Sequence, residues 1–124
     1  MKGIFISYDQ AYNMEVVDAI EKVGVRGFTM WQDIAGRGSE TGEPHLGNHA
    51  WPTMNNAVLT FVPDDKVDDI LSAVKAMDEE TPALGLRAFV WNVEKFYYFA
   101  LPNLGINIVN PTTKLYSCGW IILF

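Results

Sequence analysis

A chain of 124 residues, 49% of them apolar, builds one domain around one hydrophobic core. A formal net charge of −6 excludes nucleic-acid binding through overall charge, because phosphate contacts need clustered Lys and Arg. The lone Cys118 excludes an internal disulfide and favours a cytoplasmic setting.

The opening MKGIFISYDQ has neither the apolar span nor the small-residue cleavage site of a signal peptide. No uninterrupted run approaches the roughly 20 apolar residues of a membrane helix. Gly3 to Tyr8 is β-prone and reads as the first strand. Asn13 is a plausible N-cap for a helix from Met14 to about Val23, and Gly24 a natural stop. Val16, Val17, Ile20 and Val23 recur at spacings of three and four, giving one apolar stripe. Val25 to Gln32 is the second strand.

A long loop follows. From Trp31 to Asn56 the sequence is WQDIAGRGSETGEPHLGNHAWPTMNN, with glycines at 36, 38, 42 and 47 and prolines at 44 and 52. These residues rule out a regular element across most of it. Structureless loops of this length are uncommon in compact domains and are usually functional or disordered. This one carries both histidines, Arg37 and Trp51, so it reads as a working surface on a rigid scaffold.

Ala57 to Val62 is the third strand. Pro63 and Asp64 open a second helix with Val67, Ile70, Leu71, Val74 and Met77 on its inner face. Asp64, Asp65, Asp68 and Asp69 complement the positive end of that helix. Asp78 to Pro82 reads as a polar turn, and Leu86 to Val93 as the fourth strand.

The two halves echo each other: strand, helix and strand up to Gln32, then strand, helix and strand up to Val93. Gly24-Val25-Arg26-Gly27-Phe28 even parallels Gly85-Leu86-Arg87-Ala88-Phe89. Two βαβ units with right-handed crossovers predict an α+β, ferredoxin-like βαββαβ fold, a four-stranded antiparallel sheet with both helices on one face. Its strands carry apolar residues on both sides (Ile4, Phe5, Ile6; Phe28, Met30, Trp31; Phe89, Val90, Trp91). The second face therefore needs a cover, and self-association in a closed ring supplies one.

Residues 1–95 form this domain, with 34–56 as its long loop. Residues 96–124 are an apolar extension in which only Lys114 is charged from Tyr97 onward. Its Asn and Pro residues break any long helix, and Tyr116 to Phe124 fits a strand. The extension completes the core, covers a sheet edge or is unrelated to the rest, and the abrupt loss of acid favours the last.

The chain resembles the PII family of signalling proteins. The resemblance rests on MKGIF, the helix ending in Val23-Gly24, VRGFTMWQDIAGRGSETGE, DDKVDDILSAVKAM and LGLRAFVWNVEK. Gly24, Val25, Gly27, Phe28 and Thr29 fit the family's strand before its long T-loop, and Gly36-Arg37-Gly38 approximates the loop root. Gly85-Leu86-Arg87-Ala88-Phe89 is a looser match to the strand of the second half. The resemblance implies a homotrimer that is no enzyme. It further implies a small anionic effector, such as ATP, ADP or AMP, in the clefts between subunits, and a protein target contacted by loop 34–56. It places ligand contacts on Thr29, Gly36, Arg37, Gly38, Gly85 and Arg87. Glycine lets backbone N–H groups approach an anion and Arg offers a bidentate fork. The family's basic C-terminal loop and tyrosine-bearing loop apex are missing, so the chain resembles the diverged PII-like group more than the nitrogen regulators.

Other readings compete at each residue. His45 and His49 form an H-x3-H pair that on a helix would suit a divalent metal, as in the CutA-type proteins of the same scaffold, but Pro44 and Gly47 oppose the helix. The alternative is two loop histidines bonded to backbone or to a neighbouring subunit. Arg37, between glycines, suits an anion better than a structural ion pair, whereas Arg87 equally suits a salt bridge to the acidic turn before it. Trp31, Trp51 and Trp91 could stack on a base or pack at a subunit contact. Nothing brings Asp9 and Asp33 together as a catalytic pair, and no nucleophile–base arrangement is legible.

Overall fold

The computed structural model describes residues 1–82 and 85–97; the strand expected at Tyr116 to Phe124, and Cys118, lie outside the described residues. The elements run β1 (Lys2–Asp9), α1 (Asn13–Lys22), β2 (Thr29–Ile34), β3 (Asn55–Val62), α2 (Val67–Glu80) and β4 (Arg87–Asn92). The strands form one sheet in the order β2-β3-β1-β4, every neighbouring pair antiparallel. This is the βαββαβ ferredoxin-like arrangement that the repeated strand–helix–strand pattern predicts.

Alternation along the strands divides the side chains between two faces. Ile4, Ile6 and Tyr8 of β1 point to one side, the same side as Val58, Thr60 and Val62 of β3, with Ile4 opposite Thr60 and Ile6 opposite Val58. There they meet Val16 and Ile20 of α1 and Ile70 and Val74 of α2 in a single buried cluster. Each fully buried aliphatic side chain contributes roughly 1.5–3 kcal/mol. Thr60 is the polar member of this layer, and its hydroxyl donates to the Gly27 carbonyl at 2.7 Å. The other face carries Phe5, Leu59, Phe61, Phe89 and Trp91 in register, with Trp31 on β2. Neither α1 nor α2 covers it. Phe5 meets Trp31 and Phe61 meets Trp91, each pair 6.4 Å apart between ring centres. The Trp91 ring lies across Gly3, where an added Cβ would stand 2.5 Å from it.

Several boundaries differ from the sequence reading. Asn13 does not cap α1; a 3-10 turn over Gln10–Tyr12 precedes the helix, and the Asp9 carboxylate accepts from the Ala11 N–H at 2.8 Å. Asn13 is instead the first residue of α1, freeing its side chain for other partners. The helix ends as Gly24 predicts: Gly24 N–H donates to Glu21 and Val25 N–H to Ile20, the double bond of a left-handed cap. The chain needs four further residues before β2 begins at Thr29, so the second strand starts later than Val25. The polar turn expected at Asp78 is the last turn of α2, which runs on to Glu80. Its acidic residues are compatible with a helix surface, and the turn is made after them. No helix among the described residues is long and apolar enough to cross a membrane.

Candidate functional site

β2 and β4 are the two edges of the sheet, three strand spacings or about 14 Å apart. The long loop leaves β2 through a register shift at which Asp33 takes φ 55°, then crosses the sheet end towards the β4 side. It is bonded at several points along this path. Gly36 N–H donates to the His45 carbonyl at 2.8 Å, and His45 N–H donates back to Gly36 at 2.7 Å. Gly47 N–H donates to Thr53, and Asn48 N–H to Trp51, whose own N–H donates to the Asn48 side chain. The apex is thus a closed turn that leaves Leu46, His49 and Trp51 exposed. The long loop is folded back on itself and on the sheet.

The crossing ends at a backbone contact. A Cβ built on Gly38 would stand 1.9 Å from the Gly85 carbonyl oxygen, and one on Gly85 would stand 3.0 Å from Gly38 Cα. Gly85 also has φ +67°, where a side chain is strained. Two glycines far apart in sequence therefore bring the segment 36–38 against 85–87. Arg37, next to Gly38, is exposed. Arg87 begins β4 but is engaged: its guanidinium donates to the Leu86 carbonyl at 2.6 Å and stands 3.6 Å from Asp78. Of the two readings left open for Arg87, the salt bridge is the one formed here.

Thr29 lies outside this cluster. It sits on β2 opposite Leu59, on the far edge from Arg87. Its hydroxyl is buried and has no hydrogen-bond partner among the described residues, an unusual state for a buried polar group. The six expected ligand residues therefore divide into two groups, Thr29 on one edge and Gly36, Arg37, Gly38, Gly85 and Arg87 at the other. One chain does not gather them into one pocket.

The histidines do not share a helix face. His45 is 7% exposed, with Nδ1 2.6 Å from Asn55 Oδ1 and Nε2 4.0 Å from Asp9 Oδ2. His49 stands exposed at the apex, and no group of three His, Cys, Asp or Glu side chains suited to an ion occurs among the described residues. The His45 ring bonds to a side chain, Asn55, while its main chain pairs with Gly36.

Sequence reasoning missed the asparagines. Tyr8 Oη donates to Asn13 Oδ1 at 2.7 Å, Asn56 Nδ2 donates to the same oxygen at 3.0 Å, and Asp33 N–H donates to Asn56 Oδ1 at 3.1 Å. Burial pushes the Tyr8 hydroxyl up to about 12, so it stays a donor. This chain of bonds ties the start of α1 to both roots of the loop. The signal was present as Asn55-Asn56, two poor strand formers at the start of a strand. Two cavities among the described residues lie away from the loop contact. A cleft bounded by Tyr8, Asp9, Tyr12, Met77, Thr81 and Leu86 holds only about 10 Å³, space for one water. A groove of about 330 Å³ lies between α1 and α2, lined by neither glycine loop.

A family model described as nitrogen regulatory protein P-II matches residues 1–99. No protein of curated function matches the chain in sequence. Among solved structures, CPII from Thiomonas intermedia K12 bound to ADP and bicarbonate is similar, with TM-score 0.60 and 22% identity over 73% of this chain and 82% of that one. CPII bound to ADP, AMP and bicarbonate gives TM-score 0.59 and 21% identity, covering 74% and 88%. A protein from Thermus thermophilus described as PII-like gives TM-score 0.53 and 22% identity, covering 74% and 85%.

Proposed function

The chain belongs to the nitrogen regulatory protein P-II family, and on that premise we propose that it is a regulator that makes and breaks no bond. Its effector in this reading is an adenine nucleotide, held by the glycine loops at residues 36–38 and 85–87. The observation that carries the reading is the contact of Gly38 with Gly85. It sets two glycine backbones in close contact with exposed Arg37 one residue away, so that N–H groups and a guanidinium would face phosphate oxygens. The CPII structures of the same fold hold ADP, which supports nucleotide as the class to test first.

The open sheet face supports assembly. Trp31, Phe89 and Trp91 are 44%, 59% and 43% exposed in a single chain, a patch of the kind that marks an interface. A homotrimer would cover it and form clefts between copies. The unpartnered Thr29 hydroxyl on the opposite edge would then serve a cleft different from the one its own Arg87 borders. The exposed Leu46, His49 and Trp51 are the surface that the loop offers a protein target.

Calorimetric titration with ADP and with ATP tests this reading, with Arg37→Ala as the control. Binding by the wild type is expected, weakened about tenfold by the loss of one charge-assisted contact. Equal binding by both proteins would remove Arg37 from the site, and no heat with either nucleotide would overturn the reading.

A further inference from the structure

We infer that His45 is a positioning residue for the anion-facing backbone, a role that rests on the nucleotide reading above. His45 is nearly buried over the sheet end, with one ring nitrogen against Asn55 of β3 and the other towards Asp9 of β1. Those two residues are directly paired across the strands, so the ring is held by a rigid platform. Through its own backbone His45 makes both hydrogen bonds to Gly36. Gly36 is one residue from Arg37 and two from Gly38, whose backbone lies on Gly85. The ring therefore fixes where the stretch 36–38 stands while touching no ligand itself.

The chemistry of the ring suits the task. Asn55 Oδ1 can only accept, so Nδ1 is the donor at 2.6 Å. Nε2 faces Asp9 Oδ2 at 4.0 Å, beyond hydrogen-bond distance, so the bond to Asn55 is the one that holds the ring. Coupling is reciprocal: a ligand that orders 36–38 must also steady His45.

The experiment measures ADP affinity and amide hydrogen exchange at Gly36 and His45 in the full chain, for wild type, His45→Leu and His45→Gln. Leucine fills the space without a donor, whereas glutamine restores an N–H towards Asn55. The expected result is ADP binding on the order of tenfold weaker in His45→Leu, faster exchange at Gly36, and recovery of most of both in His45→Gln. ADP should also slow exchange at His45 in the wild type. If His45→Leu binds ADP as the wild type does and Gly36 exchange is unchanged, the inference is overturned. If the glutamine variant is no better than the leucine variant, His45 acts by bulk and the positioning role fails. If the wild type binds no ADP, the nucleotide reading falls, and Gly36 exchange in His45→Leu alone decides whether His45 holds the loop.

Discussion

The two faces of the sheet are made from neighbouring residues and have opposite characters. The covered face uses branched aliphatic side chains, Ile4 and Ile6 against Val58 and Val62, closed by Val16, Ile20, Ile70 and Val74. The open face uses aromatics, Phe5, Phe61, Phe89 and Trp91 with Trp31. Aliphatic residues interlock in depth and suit a core sealed within one chain. Rings give broad, flat area at small cost in side-chain entropy and suit a surface that another protein completes. Hydropathy alone scores the two faces alike, so what separates them is shape and alternation.

The sharpest way to break the comparison is to place the same charge one residue apart. Ile6→Asp puts a carboxylate in a fully buried position with no partner, at a cost of several kcal/mol against a total stability of about 5–15 kcal/mol. Loss of cooperative urea unfolding followed by circular dichroism is the expected result. Phe5→Asp falls on the open face and should leave the fold intact while reducing the mass in solution to one chain, as sedimentation would show. A Phe5→Asp protein that keeps the wild-type mass would mean that the open face is not where copies meet.

A smaller effect comes from Tyr8, the covered-face residue whose hydroxyl reaches into the asparagine chain. Its folded value of about 12 lies above the ordinary 10, so the neutral form is favoured by folding. The resulting stabilisation is complete below pH 10 and is lost as the pH rises towards 12. Its ceiling is about 3 kcal/mol. Urea midpoints measured from pH 9 to 12 should fall over that window and fall less in Tyr8→Phe. A wild-type midpoint that stays level to pH 12 would contradict the burial of this hydroxyl as the cause.

Much of the covered face was legible because helical spacing and strand alternation are local. Val16, Ile20, Ile70 and Val74 announce themselves by period, and the matching halves imply the topology. The open face was legible too, as apolar residues at both parities. The site was legible only in part. Gly36, Arg37, Gly38 and Gly85 were proposed through family resemblance, but the Gly38–Gly85 contact depends on a loop crossing the sheet end, which no spacing encodes. Thr29 was grouped with them by motif, and within one chain it lies on the opposite edge. The H-x3-H spacing suggested a metal pair, whereas burial assigned His45 to Asn55 and Asp9. The network of Asn13, Asn55 and Asn56 escaped because polar residues in strands and at helix starts look like weak formers until their partners are known.

The smallest expected effect bears on the one basic side chain of the proposed site that is already engaged. Arg87 and Asp78 are both over a third exposed, 3.6 Å apart, so their pairing is worth under about 1 kcal/mol and is easily exchanged for a ligand. If Arg87 turns to phosphate when nucleotide arrives, Asp78 competes with the ligand for the same guanidinium. Asp78→Asn should then tighten ADP binding about threefold, while Arg87→Ala weakens it about tenfold, both read by calorimetry against an unchanged unfolding midpoint. Should Asp78→Asn weaken binding as Arg87→Ala does, the carboxylate would be orienting Arg87 rather than holding it back. A null result for both variants would confine the anion site to the glycine backbone and Arg37, because a competing carboxylate matters only where the guanidinium it holds is wanted elsewhere.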